Sequence, residues 1–243
     1  NMVGYYTKGG IYEIVKTLVT INKKHGTKFM TTSPDSKIIV ENKKAKGVQL
    51  ENGTVLEADI IISNADLWFT ETHLLEKRHQ TYPEPYWEKA VLSPSAFIMY
   101  LGLDRKLDIL SHHNLRFGGD WKQNFKELFD TPQLPGDPSY YICKPTETDP
   151  DLSPPGTDNL FVLVPIPPGL NLSEADMTGY RQKILDLMKT DLNLPDIEEY
   201  IKFEKSYWSD DFRRDYNAYK GTALGLAHTL KQTLKRPLNY SKK

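Results

Sequence analysis

The sequence predicts a mixed α+β fold, and three observations lead there: one amphipathic helical stretch near the start, a run of short strands with turn residues between them, and isolated apolar strands separated by helices and proline-rich loops. The chain has 243 residues, enough for one large or two smaller domains with a sizeable core.

The helical stretch follows Gly9-Gly10. Ile11, Ile14, Val15, Leu18, Val19 and Ile21 recur at helical spacing, Lys23, Lys24 and His25 complement the carboxyl end of the dipole, and Gly26 suits a left-handed cap. Strand patterns follow at 28–31, 37–41, 46–51 and 54–58. Asn52-Gly53 suits a type I′ turn, which needs positive φ at both central residues, and would make Leu50 and Val55 cross-strand partners. Ile60-Ile61-Ile62 is a continuous apolar run of the kind found in strands covered on both faces. It leads into Ser63-Asn64-Ala65-Asp66, where Ser63 is an expected helix cap with Asp66 three residues on.

Beyond Leu67 the pattern changes to helices up to about Lys89, then strands at 96–103, 139–143, 159–165 and 201–207. Ser173 is the expected cap of a helix whose apolar face is Met177, Tyr180, Ile184, Leu187 and Met188. Ser209, Asp210 and Asp211 open another, which stops before Gly221. The boundary between the two kinds of pattern lies near Asp66, giving segments 1–66 and 67–243.

Bulk composition excludes several functions. Thirty-one basic residues balance 32 acidic ones, a net charge of −1, which argues against nucleic acid as a partner. Cys143 is the only cysteine, so an intrachain disulfide is excluded and no cysteine-based zinc site is expected. His112-His113 are adjacent, a spacing that does not turn both rings to one metal from a helix or strand, and no metal ligand is assigned. No G-x-G-x-x-G turn occurs to cradle a pyrophosphate.

Six blocks carry a resemblance: GYYTKGGIYEIVKTL, ADIIISNADLWFTETHLL, SPSAFIMYLGLDRKLDILSHHN, PTETDPDLSPPGTDNLFVLVPIP, DDFRRDYNAYKGTALGLAHTL and RPLNYSK. Together, and in this order, they resemble the bacterial-type phytoene desaturases, the FAD-dependent carotenoid desaturases among the amine-oxidase-like flavoproteins. The resemblance implies part of an FAD-linked α/β domain in 1–66 and an antiparallel-sheet-and-helices substrate domain in 67–243. It also implies that flavin-holding segments of the parent chain lie before and after the quoted blocks, and that the isolated chain does not retain FAD.

The implied reaction is dehydrogenation of phytoene or a related linear carotenoid precursor. FAD is the expected cofactor, and the partners are a linear carotenoid or polyisoprenoid hydrocarbon and a membrane surface; the expected location is cytoplasmic and peripheral to the membrane. Ser63, Asn64 and Ala65 are the cofactor-binding candidates. An apolar substrate calls for an aliphatic and aromatic lining, for which the candidates are Tyr5, Tyr6, Phe97, Met99, Tyr141 and Phe161. Asp149 and His113 are the candidates for proton transfer. The membrane anchors expected are Leu67-Trp68-Phe69 with Leu74-Leu75, or the loop from Pro165 to Leu172. Two other readings stay open: a carotenoid isomerase or retinol-saturase-like enzyme on the same scaffold, and a hydrocarbon- or membrane-binding module without catalysis.

Overall fold

The computed structural model describes residues 5–237 and divides the chain into two interleaved compact units. The smaller holds residues 29–95 and 209 onward, the larger the residues up to 28 and 96–208. The change of pattern at Asp66 therefore falls inside the smaller unit and not between the two.

In the smaller unit, β1 (Asp35–Glu41), β2 (Lys44–Leu50) and β3 (Val55–Glu57) form an antiparallel sheet in that order. The tight turn sits at Asn42-Lys43, where φ is 49° and 62° and Glu41 faces Lys44 across the hairpin. This is the geometry expected at Asn52-Gly53. There, only Gly53 has positive φ (83°), the Asn52 side chain accepts from the Thr54 amide, and Val55 faces Gln49 instead of Leu50. An asparagine whose side chain closes its own turn does not need the left-handed conformation.

Two other expectations fail nearby. Residues 28–31 are not a strand, and Ile60-Ile61-Ile62 is irregular, with Ile60 and Ile62 79% and 88% exposed. Among the described residues no strand pairs with that run, and without a ladder its backbone has no reason to extend. The helical turn that follows is capped by Asp66, whose Oδ1 accepts from Trp68 and Phe69 amides; Ser63 instead shares a 2.7 Å hydroxyl bond with Thr70. Trp68 lies tilted against Tyr219, 4.8 Å between ring centres, and Leu74 is buried.

The larger unit begins with the helix Tyr12–Lys24, as its periodicity predicts, with Gly26 at φ 82° just beyond it. None of its residues is buried. A five-stranded sheet follows, with β4 (Ser95–Leu103), β5 (His113–Arg116), β6 (Tyr140–Cys143), β7 (Asp158–Ile166) and β8 (Ile201–Tyr207) in the order β5-β6-β7-β4-β8. The β5–β6, β6–β7 and β4–β8 pairs are antiparallel.

The period-2 alternation of a strand sends successive side chains to opposite faces. On one face, Phe97, Met99, Leu101, Ile142, Val162 and Val164 are packed against Tyr180, Ile184, Leu185 and Met188 of the helix Glu174–Asp191. A Ser173–Asp176 capping box starts that helix, as the sequence predicts. Arg181 clamps it to β8 through a bidentate pair with Glu204 at 2.5 and 2.6 Å. Phe97 and Met99 therefore fill the core, a correction to their expected role. Ile166 is likewise fully buried, which removes it from the expected membrane loop.

This packing predicts an asymmetry between the faces. Ile184→Ala should destabilise the larger unit by about 3 kcal/mol through lost burial and a residual cavity, whereas Phe161→Ala, on the open face, should cost less than half of that. Chemical denaturation with circular dichroism measures both, and equal losses would mean that the sheet is covered on both sides.

Candidate functional site

The second face of the five-stranded sheet carries the alternate residues, and these are only partly covered. Tyr100, Gly102, Phe161 and Phe203 border an apolar cleft of about 370 Å³, together with Asn159, Pro145 and Leu160. Gly102 faces Phe203 across β4 and β8, and a Cβ on Gly102 would lie 3.1 Å from the Phe203 Cβ. The missing side chain at Gly102 deepens this part of the face.

From the cleft an unbroken run of rings crosses the sheet. Tyr100 and Phe161 are edge to face at 5.5 Å, Phe161 and Tyr141 at 6.3 Å, Tyr141 stacks on His113 at 5.9 Å, His113 lies 4.3 Å from His112, and His112 meets Tyr6 at 4.9 Å. Strand alternation explains why β6 and β7 give Tyr141 and Phe161 to this run while Ile142 and Val162 go to the core. Tyr5, also a candidate, is 95% exposed and takes no part.

The run is apolar at the Tyr100 end and polar at the other. His113 Nδ1 lies 2.6 Å from the Tyr141 hydroxyl, and His112 Nδ1 lies 2.6 Å from Thr148 Oγ1. Partial burial, with hydrogen bonding to Cys143, pushes the Tyr141 hydroxyl up to about 12, so it remains a neutral donor through the physiological range. Burial and the neighbouring His113 hold His112 below the ordinary imidazole value, favouring its neutral form. Tyr6 is raised, chiefly by burial and then by the carboxylate of Asp149.

Asp149 is 5% exposed, and its Oδ2 accepts the Gly9 amide at 2.5 Å. It thereby holds the Gly9-Gly10 turn, where both residues have positive φ, at the start of the helix Tyr12–Lys24. That is a positioning contact made by a side chain expected to transfer protons. His113 differs in being exposed, on the open face.

A separate cleft of about 510 Å³ lies within the smaller unit, lined by Asn64, Ala65 and Asp66 and by residues from Phe212 to Gly225. Burial raises the Asp66 carboxyl, opposed by amide bonds from Phe69 and Trp68. Small side chains at Ala65, Ala218, Ala223 and Gly225 keep the walls low, and Asn64 and Asn217 supply amide donors and acceptors. Asn217 has φ 52°, an unusual conformation for a residue with a side chain. Ser63 does not line the cleft, being paired with Thr70. The contribution of 217–225 went unread in the sequence; the only local signals were the asparagine and the two glycines, Gly221 and Gly225.

The model of the flavin containing amine oxidoreductases matches residues 2–242. The chain belongs to that family. Among curated proteins it is similar to a carotenoid 3,4-desaturase of Haloarcula japonica, 38% identical over 244 residues that cover 99% of this chain and 48% of the relative. A zeta-carotene-forming phytoene desaturase of Myxococcus xanthus is 34% identical, across 94% of this chain and 44% of its own length. A 4,4'-diapophytoene desaturase of a Methylomonas species is also 34% identical, across 95% of the chain and 45% of its own. The chain thus spans about half the length of these relatives. In fold it resembles a solved oxidoreductase from Methanosarcina mazei, with a TM-score of 0.51 and 20% identity, covering 82% of this chain and 42% of that one.

Proposed function

We propose that the intact protein is an FAD-dependent desaturase of phytoene or a related linear carotenoid precursor. The observation that carries this reading is the ring-lined open face of the five-stranded sheet, in a chain that aligns over nearly all its length with carotenoid desaturases. A linear hydrocarbon offers no polar handle, so its site must recognise shape and π-faces, which is what Tyr100, Phe161, Phe203 and Tyr141 supply.

The small-walled cleft at Asn64 and Ala65 suits the edge of a flat ring. Without a glycine-rich phosphate turn, these residues would hold the flavin end of the cofactor and not its pyrophosphate. Bound FAD supplies the hydride acceptor for the dehydrogenation. The chain's own work is to exclude water and fix the hydrocarbon: the closed side of the sheet gives a rigid floor, and the aromatic rings orient the chain along it. Residues 29–66 then belong to the flavin side and 96–208 to the hydrocarbon side.

Incubating the intact protein with phytoene in liposomes, and separating the products by chromatography, tests this. More conjugated carotenoids are expected, and Phe161→Ala should raise KM at least about fivefold. Geometric isomers without new double bonds would favour the isomerase reading.

The substrate resides in lipid, so docking on a bilayer is part of the proposal. Among the described residues no helix is long and apolar enough to cross a membrane. A better candidate for docking than the loop containing Ile166 is the helix Trp121–Phe129, whose polar Asn124 and Glu127 are buried while Trp121, Phe125 and Phe129 are 60%, 55% and 43% exposed. Leu115 and Phe117 precede it, 66% and 76% exposed, and Lys122 and Lys126 flank the aromatic stripe as interfacial lysines do. In liposome flotation, a Trp121→Ser, Phe125→Ser variant should lose most of the bound fraction while keeping its circular dichroism. Undiminished flotation would remove this helix as the anchor.

A further inference from the structure

The polar end of the ring run contains a combination of side chains that hydrocarbon binding does not require. His112, His113 and Cys143 bring one ligand atom each to within 4.8 Å of one another. His113 and Cys143 are direct partners across β5 and β6, which places their side chains on one face. His112 lies just before the strand, free of its alternation, and its ring comes round to 4.3 Å from that of His113. The objection that adjacent histidines cannot face one ion holds within a helix or strand, and it does not apply at a strand's first residue.

Each imidazole is also held by a hydroxyl, and the Tyr141 hydroxyl bonds the Cys143 thiol as well. One nitrogen of His112 is engaged by the Thr148 hydroxyl and one of His113 by the Tyr141 hydroxyl, both at 2.6 Å. Such outer contacts fix ring orientation in metal sites and leave the second ring nitrogen available. The supporting loop is itself anchored: the Lys144 amide donates to the His112 carbonyl at 2.9 Å, and the Lys144 ammonium, buried, is occupied by the Leu107 carbonyl and Glu147. That cation is therefore committed elsewhere and does not stand in for an ion between the three side chains.

We propose that His112, His113 and Cys143 bind one thiophilic transition-metal ion of the zinc class. Two imidazoles and a thiolate select such ions over magnesium or calcium, which prefer oxygen. Bond lengths of about 2.0–2.3 Å to nitrogen and sulfur set tetrahedral ligand atoms roughly 3.3–3.8 Å apart. Closing from the observed spacing takes about 1 Å, within the reach of side-chain rotation. Three protein ligands leave a fourth position for water, facing the same side of the sheet as Tyr141. The ion would tie the edge strand β5 to β6. Binding requires loss of the Cys143 proton, which passes to solvent as the thiolate forms.

The test is a Co2+ titration of the intact protein after chelator treatment. One equivalent should produce a thiolate-to-cobalt charge-transfer band with the intense visible bands of four-coordinate Co2+, and Zn2+ should bleach them. Cys143→Ser should abolish the charge-transfer band, and His113→Gln should weaken Co2+ binding by more than about tenfold. Thr148→Val, which leaves all three ligands in place, should weaken it by a smaller factor and guards against misreading a folding defect. Absence of the band at one equivalent in folded protein, or its survival in a His112→Gln, His113→Gln double variant, would overturn the site. Neither flavin nor substrate enters this measurement, so its failure would leave the desaturase reading untouched.

Discussion

The packing of the helix Glu174–Asp191 against one side of the five-stranded sheet is the constraint on which the rest of the larger unit depends. Ile184, Leu185 and Met188 on the helix and Phe97, Met99, Val162 and Val164 on the strands have essentially no exposed surface. Burial of this kind is the main favourable term in folding. It also fixes register, because a slip of one residue along β7 would turn Val162 and Val164 outward and bring Phe161 and Leu163 in.

A sheet closed on one side has a second side determined by the same alternation. That second face is where Tyr100, Phe161 and Tyr141 align, and where the sequence places aromatic rings at positions that the core does not use. The closed core and the open, ring-lined face therefore occupy alternate residues of the same strands. The polar end of the run is built differently, from residues at the ends of β5 and β6 and from the loop 144–149, which buried Lys144 and Asp149 hold in place.

Much of this was legible in the sequence where periodicity is strong. The helix from Ser173, the helix after Gly10 and strands β4, β6, β7 and β8 follow from apolar spacing and capping residues alone. What was not legible has particular causes. Periodicity shows that Met99 and Phe161 lie in strands, yet it does not say which face is closed, so both were expected at the substrate. Asn42-Lys43 and Asn52-Gly53 both close hairpins, β1 with β2 and β2 with β3, and positive φ at both central residues is found at the first of them. The isoleucine run at 60–62 has strand composition, but it lacks a partner in the described structure. At the candidate sites, Asn64 and Ala65 were marked by resemblance, whereas residues 217–225 reach the same cleft from a distant part of the chain with no motif to announce them. The approach of Cys143 to His112 and His113 depends on the β5–β6 pairing, and β5 is too short and polar to be read from its pattern.

The central claim is that β7 presents alternate residues to a closed core and to an open, substrate-bearing face, and neighbouring tryptophans test it most directly. Leu163→Trp and Val164→Trp differ by one position along the strand, and both can be followed by thermal melting and by carotenoid turnover of the intact protein. The account predicts that Val164→Trp lowers the melting temperature sharply by overpacking the core, whereas Leu163→Trp melts close to the parent and loses turnover or shifts its products. The reverse pattern, or equal destabilisation by both, would contradict it.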